Sequence, residues 1–184
     1  MKGKAVGAFF GKMRGTSKSP PRVNLYEVLW SWVGGFTGIG AVAYLNYNVL
    51  SGMNLLILIG SLGASAVLIF GAIRSPLAQP RNFVGGHLVS AVIGVMCYQL
   101  LGSHLWLAAA FAVATATAVM HLTKTLHPPG GATALIAVIG DKNIHNLGYF
   151  YVLTPIASGA LILLIIALIV NNIPKNRKYP EFWF

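Results

Sequence analysis

Five apolar stretches limit what this chain can fold into more than any other feature of its sequence. They run from Leu25 to Leu45, Met53 to Ile73, Phe83 to Leu101, Leu105 to Leu122 and Tyr149 to Val170. Each approaches the ~20 apolar residues that a helix needs to cross the hydrocarbon core of a bilayer. Because 56% of the chain is hydrophobic and only 9% charged, against about 25% charged in an ordinary soluble domain, lipid must cover it. The 21 glycines suit that setting: glycine costs about 1 kcal/mol relative to alanine in a water-exposed helix, yet it is frequent where membrane helices pack closely. The expected fold is an all-α, multi-pass integral membrane protein. One helical domain occupies residues 23–172, with a basic cytoplasmic tail before it (1–22) and another after it (173–184).

Between the last two stretches lies His-Pro-Pro-Gly-Gly-Ala-Thr-Ala-Leu-Ile-Ala-Val-Ile-Gly, residues 127–140, apolar but too short to cross as one regular helix after a Pro-Pro-Gly-Gly start. It reads as a half-helix. Counted as a sixth crossing, it puts both termini on one side, and the charges test that arrangement. Lys2, Lys4, Lys12, Arg14, Lys18, Arg22, Arg74, Arg81, Lys124, Lys175, Arg177 and Lys178 then share a side, leaving only Lys142 opposite. By the positive-inside rule the rich side is cytoplasmic or its organellar equivalent. This layout also accounts for the formal charge of +10 without nucleic acid, since the basic residues sit in tails and turns rather than on one face. Within the N-terminal tail, Ala-Val-Gly-Ala-Phe-Phe-Gly-Lys-Met could rest on anionic lipid. Asn24 is placed to cap the first helix, with Glu27 at its third position.

An internal repeat narrows the architecture. Residues 63–68 read Gly-Ala-Ser-Ala-Val-Leu and residues 131–136 read Gly-Ala-Thr-Ala-Leu-Ile. Each copy follows a breaker, Gly60-Ser61 or Pro128-Pro129-Gly130, and each sits in the middle segment of a three-segment half. An odd number of crossings per half inverts the second half, which gives a 3+3 inverted repeat with two broken segments. Helices that start inside a membrane present free N–H groups and the positive end of their dipole. The repeat therefore implies a small-anion site, with Gly63, Ala64 and Ser65 facing Gly131, Ala132 and Thr133 across one polar cavity and Ser61 contributing a hydroxyl. The same residues could instead serve close packing alone, as Gly34-x-x-x-Gly38 and Gly86-x-x-x-Ser90-x-x-x-Gly94 do in this reading.

Three blocks, Ser-Pro-Leu-Ala-Gln-Pro-Arg-Asn (75–82), Gly-Gly-His (85–87) and Thr-Leu-His-Pro-Pro-Gly-Gly-Ala-Thr-Ala (125–134), resemble the HPP family of integral membrane proteins, named for the tripeptide that here is His127-Pro128-Pro129. The resemblance covers roughly residues 60–172 and implies a four-spanning protein of the cyanobacterial or chloroplast nitrite-transporter type. A bacterial inner membrane or a chloroplast membrane is the location it implies, and nitrite or a similar anion the partner. With it, His127, Pro128, Pro129, Gly130 and His87 join the candidate substrate site.

Arg81, Gln79 and Asn82 are further candidate substrate contacts, and Asn82 is a candidate helix cap. Arg74 and Arg81 could steer anions, or simply satisfy the positive-inside rule. His127, extended before two prolines, could carry a proton beside an anion or merely shape the turn. The five histidines, three acidic residues and single Cys97 show neither His-Glu-x-x-His nor paired-cysteine spacing, and no Ser-His-Asp arrangement is credible. No enzyme, metal or cofactor is expected. A homo-oligomer is compatible with the sequence, as is a non-transporting membrane scaffold, the alternative to transport.

Overall fold

The structure, a computed structural model, describes residues 2–50 and 56–184, with side chains from Gly7 onward. The described residues form helices and connecting turns: α1 (Lys2–Gly11), α2 (Leu25–Tyr44), α3 (Gly60–Gly71), α4 (Pro80–Leu101), α5 (Leu105–Leu122), α6 (Pro128–Ile139), α7 (Lys142–Leu147) and α8 (Ser158–Val170). A π-helical turn extends α2 to Val49, and another, Val152–Ala157, leads into α8. At the start of α2 the Asn24 side chain accepts the Glu27 N–H at 2.9 Å, which is the expected cap.

Among the described residues, four units are long and apolar enough to cross a membrane: Leu25–Val49, Pro80–Leu101, Leu105–Leu122 and Val152–Val170. The other two apolar segments, α3 and α6, have 12 residues each, which at 1.5 Å per residue is ~18 Å of a ~30 Å core. Four full crossings and two half-helices thus reconcile the four spans implied by the family resemblance with the six segments implied by the charges.

The second stretch corrects its expected bounds. Met53–Leu55 lie outside the described residues, Leu56–Ile59 form no helix, and α3 begins only at Gly60. Backbone polar groups at membrane depth need protein partners, and two distant side chains supply them. Asn46, buried, accepts the N–H groups of Ile57 and Leu58 at 3.0 and 3.2 Å, while Thr154 donates to the Leu56 carbonyl at 3.1 Å.

The packing shows the inverted repeat. In the first half α2 packs on α3, and in the second α5 packs on α6. The third crossings are exchanged: α4 packs on α5 and α6, α8 packs on α2 and α3, and the half-helices meet each other. Equivalent contacts recur. Asn82 at the start of α4 donates to the Leu126 carbonyl ahead of α6 at 2.8 Å, as Thr154 ahead of α8 donates to Leu56 ahead of α3. Gly86 of α4 lies against the Thr125 carbonyl, and Gly159 of α8 lies against the Ile57 carbonyl, 68 residues earlier, the same offset that separates the two sequence motifs.

The glycine stripes are packing surfaces. Gly34 and Gly38 receive the Phe70 ring, and a Cβ on Gly94 would lie 2.6 Å from the Ala134 carbonyl oxygen of α6. Residues 173–184 fold back over the charged end of the bundle. The Arg177 side chain, nearly inaccessible, donates to the Phe70 carbonyl at 2.6 Å and lies 3.5 Å from the Glu27 carboxylate. Burial pulls its pKa below the ordinary value and the Glu27 carboxylate opposes that shift. Asn171 takes the neighbouring Ile69 carbonyl at 3.0 Å, so these two side chains satisfy carbonyls that the C-terminal end of α3 leaves free.

Candidate functional site

The half-helices and α4 bring four side chains together at full burial: Ser65 from α3, His87 from α4, and His127 and Thr133 from the start and second turn of α6. Ser65 Oγ lies 2.7 Å from His87 Nε2 and 2.9 Å from His127 Nε2. His87 Nδ1 lies 2.6 Å from Thr133 Oγ1, and His127 Nδ1 lies 2.8 Å from the Leu77 carbonyl oxygen.

Local sequence explains each placement. Pro128 and Pro129 force His127 into an extended conformation (φ −141°, ψ 107°) and start the helix directly after it. Gly86 lets this segment approach, since a Cβ there would sit 2.6 Å from His127 Cβ. Phe83, one turn before His87, closes one side, its ring centroid 5.4 Å from His87 and 5.3 Å from His127.

The hydrogen-bond chain has a direction. A carbonyl only accepts, so His127 Nδ1 carries a proton and, in the neutral ring, Nε2 accepts from the Ser65 hydroxyl. With its proton on His127, Ser65 accepts from His87 Nε2–H, and His87 Nδ1 accepts from the Thr133 hydroxyl; the competing acceptors, the Ser61 carbonyl 3.1 Å from Ser65 Oγ and the Pro129 carbonyl 3.4 Å from Thr133 Oγ1, are both farther away. Every ring nitrogen is used. No carboxylate joins the cluster: Glu27 pairs with Arg177, Asp141 caps α7, and Glu181 is exposed.

The match to known proteins covers residues 20–180, which fit the family described as "HPP, transmembrane region". This chain belongs to the HPP transmembrane family. Two proteins of Dictyostelium discoideum, each described only as a transmembrane protein, are 49% identical over 179 residues and 44% identical over 181. In each case 96% of this chain is aligned, but only 57% and 63% of the relative. No solved structure matches it significantly.

Most other sequence candidates in this HPP chain lie outside the cluster. Gly63 and Gly131 are half-buried, with nothing within 4 Å of a Cβ on Gly63 and Val113 in ordinary contact at 3.8 Å from one on Gly131, and Ala64 and Ala132 instead line an apolar groove of about 590 Å³ with Val67, Leu68, Pro128 and Pro129. The expected single polar cavity is therefore corrected: consecutive helical residues point about 100° apart, so Ser65 and Thr133 turn inward while the residues before them turn outward. At α6 the expected array of free N–H donors is corrected too, because Pro128 and Pro129 have none and Gly130 N–H bonds the His127 carbonyl at 2.8 Å. Gly130 itself packs on Ser90. Ser61 is fully buried, and its hydroxyl has no partner among the described residues.

The three polar candidates of the Ser-Pro-Leu-Ala-Gln-Pro-Arg-Asn block hold the chain together. Gln79 donates to the Ile73 and Ser75 carbonyls, both at 2.9 Å, and accepts the Glu181 N–H at 2.8 Å. Arg81 donates to the Thr123 carbonyl at 3.0 Å. Asn82 is not a cap: α4 begins at Pro80, and its side chain reaches across to Leu126 instead. Sequence reading missed Phe83, Leu77 and Tyr151, whose hydroxyl donates to the Thr133 carbonyl at 3.1 Å. Of these only Phe83 left a signal, its spacing of four from His87.

Proposed function

We propose that this HPP chain transports a small monovalent anion, with nitrite as the substrate suggested by the family resemblance, through the His87, His127, Ser65 and Thr133 cluster. The observation that carries the reading is the convergence of two half-helices from inverted halves on a buried cluster of histidines and hydroxyls without a carboxylate. Broken helices meeting at a repeat interface are the usual substrate sites of secondary transporters. A cation pathway needs acidic or carbonyl ligands, whereas imidazole and hydroxyl donors favour an anion. The Ser61 hydroxyl, one turn before Ser65 and without a partner among the described residues, adds a donor. The setting proposed is a bacterial inner membrane or a chloroplast membrane, which the resemblance alone supports.

The test is nitrite uptake by proteoliposomes holding only this protein, after subtraction of the nitrous acid that permeates protein-free vesicles. The parent should show saturable uptake. Ser65→Ala with Thr133→Val removes two hydroxyls at nearly constant volume and should reduce it while the protein stays folded, since interhelical hydrogen bonds in membranes average about 0.6 kcal/mol. Equal uptake by parent and double variant would return the cluster to packing and favour the scaffold role.

A further inference from the structure

We propose that Thr133, His87, Ser65 and His127 form a proton relay ending on His127, which the Leu77 carbonyl holds in place, and that a single proton accompanies each anion, so that transport is electroneutral. The inference rests on the anion reading above. In the neutral chain each hydrogen bond points the same way, from Thr133 to Leu77, at 2.6, 2.7, 2.9 and 2.8 Å in turn. A proton taken up at His87 Nδ1, in place of the Thr133 donor, makes that ring an imidazolium. His87 Nε2 passes its proton to Ser65 Oγ, and Ser65 passes its own to His127 Nε2. One proton has then moved, His87 is neutral again with Nδ1–H, and His127 carries the charge with Nδ1–H still on Leu77. To reset the chain, His127 gives up its Nε2 proton together with the departing anion, and the Ser65 hydroxyl turns back toward His127. His87 releases its Nδ1 proton as it takes one up at Nε2, so that a single proton has crossed with the anion and every group regains its starting form.

Neutral, the cluster has no spare ring N–H for an anion. A proton on His127 supplies the missing donor at Nε2 and the balancing charge together. Two protons cannot be held, because the ring centroids lie only 5.0 Å apart and two imidazolium charges there repel strongly. The groups facing the relay are few. Ser65 and the Ser61 carbonyl come from α3, Phe83 from α4, the Leu77 carbonyl from the turn before α4, and the Tyr151 phenol, on the Thr133 carbonyl, from the segment before α8. The charged side chains of neighbouring elements look elsewhere: Arg81 bonds Thr123, Lys124 is exposed, and Arg177 bonds Phe70 and Glu27.

The experiment loads proteoliposomes with a pH-sensitive dye and clamps the potential with valinomycin and potassium. Inward nitrite gradients should acidify the lumen of parent vesicles beyond the protein-free leak by a single proton per nitrite. A potential of roughly 100 mV should leave accumulation unchanged, where an electrogenic carrier would shift it about 50-fold. Ser65→Ala should lose the protein-dependent acidification. In a second readout, ¹⁵N-histidine spectra of the neutral protein in lipid should show His127 protonated at Nδ1 and His87 at Nε2. Nitrite flux that follows the potential and leaves the lumen pH at the leak value overturns the relay but keeps anion transport. The opposite histidine tautomers overturn the relay whatever the flux, and absence of protein-dependent nitrite flux overturns both readings.

Discussion

Replacing Gly86 with alanine tests whether the close approach of α4 to His127 is what assembles the cluster. The added methyl would lie 2.6 Å from His127 Cβ and 2.7 Å from the Thr125 carbonyl oxygen, neither of them the far end of a flexible side chain, whereas ordinary contact begins at 3.4 Å. His127 must therefore retreat by about 0.8 Å, the difference between those distances. If that movement falls along the bond to Ser65, now 2.9 Å, the separation grows to roughly 3.7 Å, beyond hydrogen-bond reach. Overpacking of this kind costs about 1–3 kcal/mol. The matched control is Gly35→Ala, whose new methyl meets nothing within 4 Å. Both changes gain the same helix propensity, so their difference isolates the contact. In detergent or lipid, unfolding of Gly86→Ala should lie about 1–3 kcal/mol below that of Gly35→Ala, with altered ¹⁵N shifts at His127 Nε2. If the two variants unfold alike and the histidine spectra match the parent, the glycine does not set the geometry and the account of the site fails.

Gln79→Ala removes two donated bonds and one accepted bond at a fully buried position, which at about 1 kcal/mol each should destabilise by ~2–3 kcal/mol and speed proteolysis within residues 173–184; an unchanged cleavage rate would count against the docked segment. Arg177→Met should destabilise the protein by releasing the Phe70 carbonyl and the Glu27 carboxylate, and Glu27→Gln added to it should recover part of the loss because the remaining charge is removed; no recovery in the double variant would mean the pair is not coupled. In a Cys97→Ala background, Ser17→Cys and Asn143→Cys should react with an impermeant thiol reagent from opposite sides of sealed vesicles, and labelling from one side would refute the inverted topology.

The class of fold and most element positions are legible in the amino-acid sequence. Stretches such as Leu105 to Leu122 have one stable answer in lipid, because a backbone without water must bond to itself. The half-helix after His127 was legible from two prolines, and the inversion from a short repeat joined to an odd count of crossings. Asn24 revealed its cap because capping is local, settled within three residues. The remaining features depend on contacts between segments far apart in the chain. No local rule says that Asn46 will serve the backbone of Ile57 and Leu58, so apolarity alone predicts helix from Met53. Nor does periodicity say which crossing covers which half-helix, and the exchange of α4 and α8 is what sets His87 between Ser65 and Thr133. The pattern named the two hydroxyls and both histidines, but one face of a helix is a direction only once its neighbours are placed. That is why Ser65 and Thr133 turned inward to a closed hydrogen-bonded chain while Ala64 and Ala132 turned out to an apolar groove.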